Sequence, residues 1–300
     1  MIQTLVKRTA HPELIVALAS AVWGLLWLPL RAFNEQGLDP GWVIIGQFVA
    51  PLVLLIPLAF WRNAHHKPTG IAQYATGLLF GGGVVLYSES ILQTSVVRAL
   101  ILFYVMPAWG TLIEVGWMGR RFTIWRGLAL LLSLSGLFAI LGPTSSLTIN
   151  FNLGDGMALL TGLIFTFGAQ RVREAPQISV FEQIFAFFFY GSIIAVGLSL
   201  LPVAVLGQPP TAALVIALAP WMLLMALGVL LPVMSGIYWG SRYVDPGRLG
   251  IILQLEAVVG IGSAAVLAGE PFGLPELIGS LLVISAGVVE IFGNKKAETI

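Results

Sequence analysis

The feature that most constrains the fold is a series of apolar segments, each about 20 residues long, the length that crosses a bilayer as a helix. Only helices and closed barrels satisfy backbone polar groups in lipid, and these segments lack the short alternating pattern of barrel strands. The sequence therefore predicts an all-α integral membrane protein. Its ten transmembrane helices are predicted at residues 13–32, 41–61, 71–91, 96–118, 124–141, 154–172, 178–201, 213–240, 246–268 and 275–293.

Composition supports this class and excludes others. Of the 300 residues, 58% are hydrophobic and 10% are charged, whereas about a quarter of the residues in soluble domains are charged. Cysteine is absent and the net charge is +1, which argues against thiolate metal sites and nucleic-acid partners. The three histidines, His11, His65 and His66, lie outside the predicted spans. We therefore expect neither a metal nor another cofactor.

The distribution of basic residues predicts the orientation in the membrane. With the N-terminus in the cytoplasm, all 15 Lys and Arg residues except Arg31 and Arg98 fall on the cytoplasmic side. Such a bias is typical of cytoplasmic loops. We therefore expect both termini in the cytoplasm, with the chain in a cytoplasmic membrane.

A weak internal repeat at a spacing of 150 residues predicts the domain organisation. Arg98 corresponds to Arg248, Gly110 to Gly260 and Gly119 to Gly269; after a two-residue shift, Gly127 corresponds to Gly279 and Ser133 to Ser285. Each half contains five predicted helices, an odd number, so the second half enters the membrane from the opposite side. The prediction is two inverted five-helix repeats, residues 1–145 and 146–300, as in many secondary transporters.

At these residues the chain resembles the EamA-type branch of the drug/metabolite transporter superfamily. The family pattern has a proline in the fourth helix, a Gly-Glu pair at its end, and a glycine-rich fifth helix, repeated in helices nine and ten. The first copy here has Pro107 and Gly119 but Arg120 in place of glutamate. The second copy has Leu255-Glu256 and Gly269-Glu270, but Ala257 replaces the proline.

A narrower resemblance is to the aromatic amino acid exporters of bacterial inner membranes. It rests on the chain length, on Trp23-Gly24, and on Tyr87-Ser88-Glu89-Ser90 at the end of the third predicted helix. The resemblance implies efflux of aromatic and other neutral amino acids, with amphipathic cations as further substrates.

Polar side chains at mid-membrane depth are costly, so each of them is a candidate for function. Glu256 lies near the middle of predicted helix nine, and we considered that it binds the substrate ammonium group or a proton, or else is a protonated structural group. Gln254 and Gln47 are the other mid-span polar candidates. Glu114 is expected to form an interfacial ion pair with Arg121 of the basic cluster Arg120-Arg121, which is seven positions further on and on the same face. A role of Glu114 in transport is the alternative.

Aromatic residues inside the spans suit an aromatic substrate, because stacked rings add about 0.5–1.5 kcal/mol beyond their buried area. Trp23 and Trp27 lie four residues apart on one face of the first helix. For any one inner aromatic residue, helix packing is at least as common a role as substrate contact. The further candidates of this class are Tyr87, Trp109, Phe165, Tyr238 and Trp239.

Gates and hinges were predicted from charge and glycine. Glu89 and Arg98 are candidates for a gate, and Arg248 occupies the position equivalent to Arg98 in the other half. Ordinary interfacial ion pairs are the alternative for these residues. Gly82 and Pro107 are hinge candidates, although the Gly77-x-x-x-Gly81 spacing favours close helix packing at that site.

The function predicted from these features is a secondary transporter that exports aromatic and other neutral amino acids by alternating access. Exporters of other amphipathic metabolites or lipophilic cations are the alternative. A channel or a membrane-embedded enzyme is the alternative from another class, but the spans hold no histidine for a catalytic cluster and the chain holds no Walker motif. The expected partners are a small-molecule substrate and the lipid bilayer, and the short loops are compatible with a monomer.

Overall fold

The computed structural model describes residues 11–63, 72–94, 96–119, 121–141, 151–175, 177–201, 206–269 and 272–293. Regular secondary structure in this part of the chain is entirely helical. The helices are α1 (Pro12–Gly24), α2 (Trp27–Glu35), α3 (Pro40–Asn63), α4 (Ala72–Gln93), α5 (Val96–Phe103), α6 (Met106–Gly116), α7 (Ile124–Leu141), α8 (Leu153–Glu174), α9 (Val180–Ser199), α10 (Ala212–Met225), α11 (Leu231–Ser241), α12 (Pro246–Leu253), α13 (Leu255–Ala268) and α14 (Leu274–Gly293). A π-helical turn, Ala226–Leu230, joins α10 to α11.

Six helical segments are long and apolar enough to cross a membrane: 12–35, 40–62, 74–93, 180–199, 212–241 and 246–267. Two shorter apolar helices cover 124–139 and 274–289. The all-α prediction is confirmed for the described residues, and the chain is a multi-pass membrane protein. The count of ten spans in two inverted halves remains a prediction.

Three of the predicted continuous helices are interrupted or distorted near prolines. Pro29 lies four residues after Leu25, the residue that follows α1, and Pro107 lies four residues after Phe103, the last residue of α5. At these points the chain turns into α2 and α6. Proline has no N–H group to donate to the carbonyl four residues earlier, and its ring collides with that carbonyl. Pro232 follows the π-helical turn in the same way. The sequence analysis predicted one helix for each of these pairs, with Pro107 as a hinge candidate.

The break between α12 and α13 has a different cause, because Ala257 occupies the position of Pro107 in the repeat. The carbonyl of Leu253 accepts a hydrogen bond from Ser20 Oγ (2.7 Å), and Tyr104 Oη lies 3.2 Å from the same oxygen. The Ala257 N–H donates to the Gln254 carbonyl instead (3.1 Å). One hydroxyl group from α1 and one from the residue that follows α5 thus take the place of the helical partner of Leu253 and hold the chain open at Gln254.

Glycines allow the helices around the centre to approach closely. A Cβ atom at Gly77 would lie 2.5 Å from that of Ala186, and one at Gly81 would lie 2.5 Å from the Phe187 carbonyl oxygen. The predicted close packing along Gly77-x-x-x-Gly81 is therefore confirmed, and its partner is α9. Helices α7 and α14 pack against each other at the side of the bundle, away from its centre.

Candidate functional site

A cavity of about 500 Å³ lies at the centre of the bundle and opens at the end where Arg31 is exposed. Its walls come from α1, α2, α3, α4, α5 and α13. The residues that line it are Trp23, Gly24, Leu26, Trp27, Leu30, Arg31, Gln47, Tyr87, Ser88, Ile91, Leu100, Glu256, Ala257, Gly260, Ile261 and Ala264. The volume lies in the range of small-molecule sites, about 300–1,000 Å³.

Glu256 is the acidic group of this cavity and lies in the first turn of α13. Its backbone N–H donates to Ser20 Oγ (3.0 Å), and its carboxylate oxygen Oε2 accepts from Tyr104 Oη (2.7 Å). Tyr104 lies at the break between α5 and α6, so the breaks of two helices meet at this carboxyl group. An irregular backbone is tolerated at membrane depth where it is buried in protein or lines a cavity.

A second, smaller cavity of about 40 Å³ continues inward from the first. Trp23, Tyr87 and Glu256 line both cavities, and Phe165 lines only the inner one. Beyond it, Phe80 packs against Phe165 and Tyr238, with ring centroids 4.2 and 5.0 Å apart. This aromatic cluster closes the route to the opposite end of the bundle.

The opposite end is sealed by charged side chains. Glu114, which is fully buried, pairs with Arg126 of α7 and accepts a hydrogen bond from the Gly247 N–H (2.8 Å). Asp245 pairs with Arg173 and lies 3.9 Å from Arg126. A further pair joins Arg248 to Glu13 (3.3 Å). Together these contacts connect α1, α6, α7, α8 and α12; we call this region the sealed end.

The structure brings six of the ten predicted substrate-binding residues together. Trp23, Trp27, Gln47, Tyr87 and Glu256 line the main cavity. Trp27 also donates to Ser263 Oγ (3.0 Å), which fixes the orientation of its ring in the wall. Phe165 lies just beyond them in the inner cavity. These residues come from α1, α2, α3, α4, α8 and α13 and lie around the central cavity and its inner continuation.

Other predicted site residues lie elsewhere. Trp109 lines a shallow surface groove with Trp117, and Trp239 packs against Tyr243 with a centroid separation of 5.1 Å. Gln254 is fully buried and accepts a hydrogen bond from Ser133 Oγ (2.7 Å), so it ties α12 and α13 to α7. Tyr238 belongs to the aromatic cluster beyond the inner cavity.

The predicted gate and hinge residues are also scattered. Glu89 is buried, 5% exposed, and the side chain of Arg98 lies outside the described residues, as do Arg120 and Glu270. Arg248 lies at the sealed end. The predicted partner of Glu114 was wrong: Arg126 from the next helix reaches Glu114, whereas Arg121 is exposed. Gly82 faces Ile194, and Pro107 packs against Gly250.

Sequence reasoning missed several residues of the site. Ser20, Tyr104 and Arg31 were not singled out, although Ser20, Trp23, Trp27 and Arg31 repeat at spacings of three and four and thus share one helical face. Tyr104 carried no such signal, because its role depends on a break in a distant helix. Asp245 and Arg173 at the sealed end were missed because they are far apart in the sequence and only the fold brings them into contact.

The hydroxyl group of Ser20 is expected to stabilise the break at Gln254. Replacing Ser20 by Ala leaves the Glu256 N–H without its acceptor and removes one donor from the Leu253 carbonyl. Loss of a buried hydrogen bond costs about 1–3 kcal/mol, so we expect a lower midpoint of thermal unfolding in detergent. Ser235→Ala is the matched control, since Ser235 Oγ bonds only a carbonyl of its own helix, that of Leu231 (2.6 Å). Equal effects of the two changes would contradict this role of Ser20.

Comparison with known proteins agrees with this architecture. A crystal structure of a protein that is 16% identical superposes with a TM-score of 0.72, covering 96% of this chain and 98% of that one. At this identity the likeness shows the fold alone. No curated protein matches the sequence significantly.

The sequence itself matches one family. Residues 12–142, which contain α1 to α7 and much of the central cavity, match the profile of the EamA-like transporter family. Proteins of that family are transporters of the drug/metabolite kind and not enzymes. The match shows that residues 12–142 are similar to the EamA-like transporters, a similarity that implies a membrane transporter with a small-molecule substrate.

Proposed function

We propose that the protein is a secondary transporter that exports aromatic and other neutral amino acids across a bacterial cytoplasmic membrane by alternating access. The observation that carries the proposal is the central cavity, which combines a carboxyl group with the rings of Trp23, Trp27 and Tyr87. A primary ammonium group suits Glu256, and an aromatic side chain suits the ring-lined wall.

The basic residues support an orientation in the membrane. The cavity opens at the end that carries Arg31, whereas Arg126, Arg173 and Arg248 lie at the sealed end. Basic residues favour the cytoplasmic side of a membrane. We therefore propose that the open mouth lies outside the cytoplasm and both termini inside, so that in an exporter this conformation would be the one that releases the substrate.

Lipophilic cations are the second candidate substrate class. Glu256 lies deep in the cavity, while the one basic residue among the described lining residues, Arg31, is exposed at the mouth and pairs with Glu35 (3.2 Å). Because the acidic group lies deep in the cavity and the basic group lies at its mouth, the site suits a cation at least as well as a zwitterion. Amphipathic amines without a carboxylate therefore belong in the first transport assay.

The test is flux in proteoliposomes of purified protein, with labelled tryptophan and phenylalanine and with an aromatic amine that lacks the carboxylate. Saturable flux that unlabelled substrate accelerates from the opposite side supports a carrier. Flux of the amine alone would select the second candidate. Flux that rises linearly with concentration and shows no counterflow would contradict the carrier and favour a channel.

The same assay tests the aromatic wall. Trp23→Ala is expected to raise the KM for an aromatic substrate about two- to tenfold, because the ring contact contributes about 0.5–1.5 kcal/mol. Trp117→Ala is the control, since Trp117 is 80% exposed and lies far from the cavity. A change of KM in the control equal to that in Trp23→Ala would argue against a direct contact with the substrate.

A further inference from the structure

We propose that the inner cavity is an ammonium pocket, which admits the primary ammonium group of a substrate and excludes N-methylated ammonium groups. The inference rests on the transporter function proposed above and narrows its substrate class to amines and amino acids with an unsubstituted amino group. Among the lipophilic cations, it excludes those with a quaternary nitrogen. Three features of the cavity support it: its oxygen acceptors, its aromatic rings and its size.

Three oxygen acceptors meet at the inner cavity. Ser20 and Leu253 line this cavity but not the main one, and Glu256 lines both. Ser20 Oγ lies 2.7 Å from the Leu253 carbonyl oxygen, and this oxygen and Glu256 Oε2 both lie within 3.2 Å of Tyr104 Oη. A primary ammonium group has three N–H donors and no acceptor. It therefore matches the three acceptors in number and in kind.

These oxygens keep lone pairs for a ligand. Tyr104 has one hydroxyl hydrogen, and Glu256 Oε2 is its closer partner, at 2.7 Å against 3.2 Å for the Leu253 carbonyl oxygen. The carbonyl oxygen accepts a hydrogen bond from Ser20 and has a second lone pair. Ser20 Oγ accepts the Glu256 N–H (3.0 Å) and likewise has a second lone pair. The helix break thus presents acceptors, which are the groups that a cation with N–H donors needs.

Aromatic rings form another part of the wall. Trp23, Tyr87, Phe103 and Phe165 line the inner cavity. The ring centroid of Phe103 lies 4.7 Å from that of Tyr87 and 6.0 Å from that of Phe165. The face of such a ring attracts a cation, and the attraction is stronger where water is excluded. Rings and carboxylate together favour a positive charge and repel the carboxylate of an amino acid, so the amino end of the substrate enters this cavity.

The size of the cavity decides which cation fits. Aromatic rings also suit quaternary ammonium groups, which aromatic cages bind. The inner cavity, however, measures about 40 Å³, and a water molecule occupies about 30 Å³ in the liquid. A primary ammonium group has one heavy atom, as water has, whereas a trimethylammonium group carries three further carbon atoms. The primary group therefore fits the inner cavity, and the trimethylated group does not.

Close-packed side chains prevent the wall from retreating. Val84 of α4 and Met234 and Ile237 of α11 complete the cavity, and all three are buried. Behind Phe165 lies the ring of Phe80, with a centroid separation of 4.2 Å. Protein interiors are packed at nearly crystalline density, so added methyl groups force side chains out of their preferred rotamers. The volume therefore acts as a size limit.

The rest of the substrate lies in the main cavity. Trp23, Tyr87 and Glu256 line both cavities and thus mark the junction between them. A ligand whose ammonium group lies beyond this junction has its aromatic ring on the side of the main cavity. Trp27 and Leu100 line the wall there. The two cavities thus divide recognition of the amino group from recognition of the ring.

A methylation series of one ligand tests the pocket. The ligands are phenethylamine and its N-methyl, N,N-dimethyl and N,N,N-trimethyl derivatives, all of them cations at pH 7. Binding to the purified full-length protein in detergent is measured by isothermal titration calorimetry. We expect the affinity to fall about a hundredfold or more across the series, because N–H donors are lost and methyl groups overfill the cavity. An affinity that stays level or rises with methylation would overturn the pocket.

Met234→Ala separates the effect of size from that of hydrogen bonding. It removes three heavy atoms from the wall, as many as trimethylation adds to the ligand, and leaves the acceptors in place. The affinity ratio between phenethylamine and its trimethyl derivative should shrink to about tenfold. Met222→Ala is the matched control and should keep the native ratio, since Met222 lines a groove between α3 and α10.

Val84→Ala provides a second enlargement of the cavity, from α4, for the case that Met234→Ala protein does not fold. It should also shrink the ratio, and by less, because it removes two carbon atoms. A native ratio in folded protein of either variant would show that size does not set the selectivity, and would overturn the size limit.

The pocket and the proposed function fail separately. The expected ranking of the four amines without saturable flux in proteoliposomes would retain the pocket and reject the transporter. Saturable tryptophan flux that all four amines inhibit equally would retain the carrier and overturn the pocket. Folded protein that binds none of the amines would also overturn the pocket, whatever the flux.

Discussion

Replacing Glu256 by Gln is expected to reduce transport of amine-bearing substrates about tenfold or more. The carboxyl group lines both the open cavity and the smaller cavity beyond it, so a substrate that passes inward must pass this group. A hydrogen bond to a charged group contributes about 1.5–3 kcal/mol, and about 1.4 kcal/mol corresponds to a factor of ten in affinity. Gln has nearly the same size and can still accept the Tyr104 hydroxyl, so the fold should be preserved.

The measurement is the initial rate of flux against substrate concentration, with Glu174→Gln as the control. Glu174 is solvent-exposed and pairs with Arg171 at the end of α8 (3.0 Å), far from the cavity. An unchanged kcat/KM in Glu256→Gln protein would leave this carboxyl group with a structural role only. A comparable loss for a neutral aromatic solute would show that the change damaged the cavity and did not remove a charge contact.

Replacing Gly81 by Ala is expected to destabilise the protein, whereas the same change at Gly83 should be neutral or stabilising. A Cβ atom at Gly81 would lie 2.5 Å from the Phe187 carbonyl oxygen and 3.0 Å from the Gly191 nitrogen, both of them backbone atoms. Overpacking of this kind costs about 1–3 kcal/mol. At Gly83 the nearest atoms lie at 3.6 and 3.9 Å, in ordinary contact, and Ala is favoured over Gly in a helix by about 0.5–1 kcal/mol.

Thermal unfolding of the two variants in one detergent gives the comparison, and Gly82→Ala adds the predicted hinge. Only the tip of the Ile194 side chain lies near a Cβ atom at Gly82, at 3.0 Å. If this glycine is a hinge, Gly82→Ala should slow transport without lowering the unfolding midpoint. If the glycine run serves packing alone, stability should follow the order expected from the contacts and transport by Gly82→Ala should be normal. A Gly81→Ala midpoint equal to that of Gly83→Ala would contradict the packing role.

Much of the fold could be predicted because the bilayer restricts a chain to few solutions. The apolar segments located the helices to within a few residues, and the glycine spacing identified the close contact of α4 with α9. The positions at which the helices break were harder to predict. Pro29 and Pro107 indicate two of these breaks in the local sequence. The break at Gln254 depends on hydroxyl groups that lie 233 and 149 positions away from Leu253.

Site residues could be predicted where an acidic or aromatic side chain lies at mid-membrane depth. They could not be predicted where their role depends on contacts with another helix. Glu256, Trp23 and Tyr87 stood out because acidic or large aromatic groups at mid-membrane depth require a reason. Trp109 met the same criterion but lies on an outer groove, since depth along a helix does not tell which side of it faces the bundle. The partner of Glu114 was mistaken because sequence distance favoured Arg121, whereas the loop before α7 brings Arg126 closer.

The two central breaks also differ in permanence. Pro107 has no N–H group to donate to the Phe103 carbonyl in any environment, so the weak point between α5 and α6 belongs to the covalent chain. The joint between α12 and α13 is maintained by Ser20 of α1 and by Tyr104, and it lasts only while those neighbours stay in place. The helix break in the first half is therefore permanent. The break in the second half can become a continuous helix when Ser20 and Tyr104 move away from it.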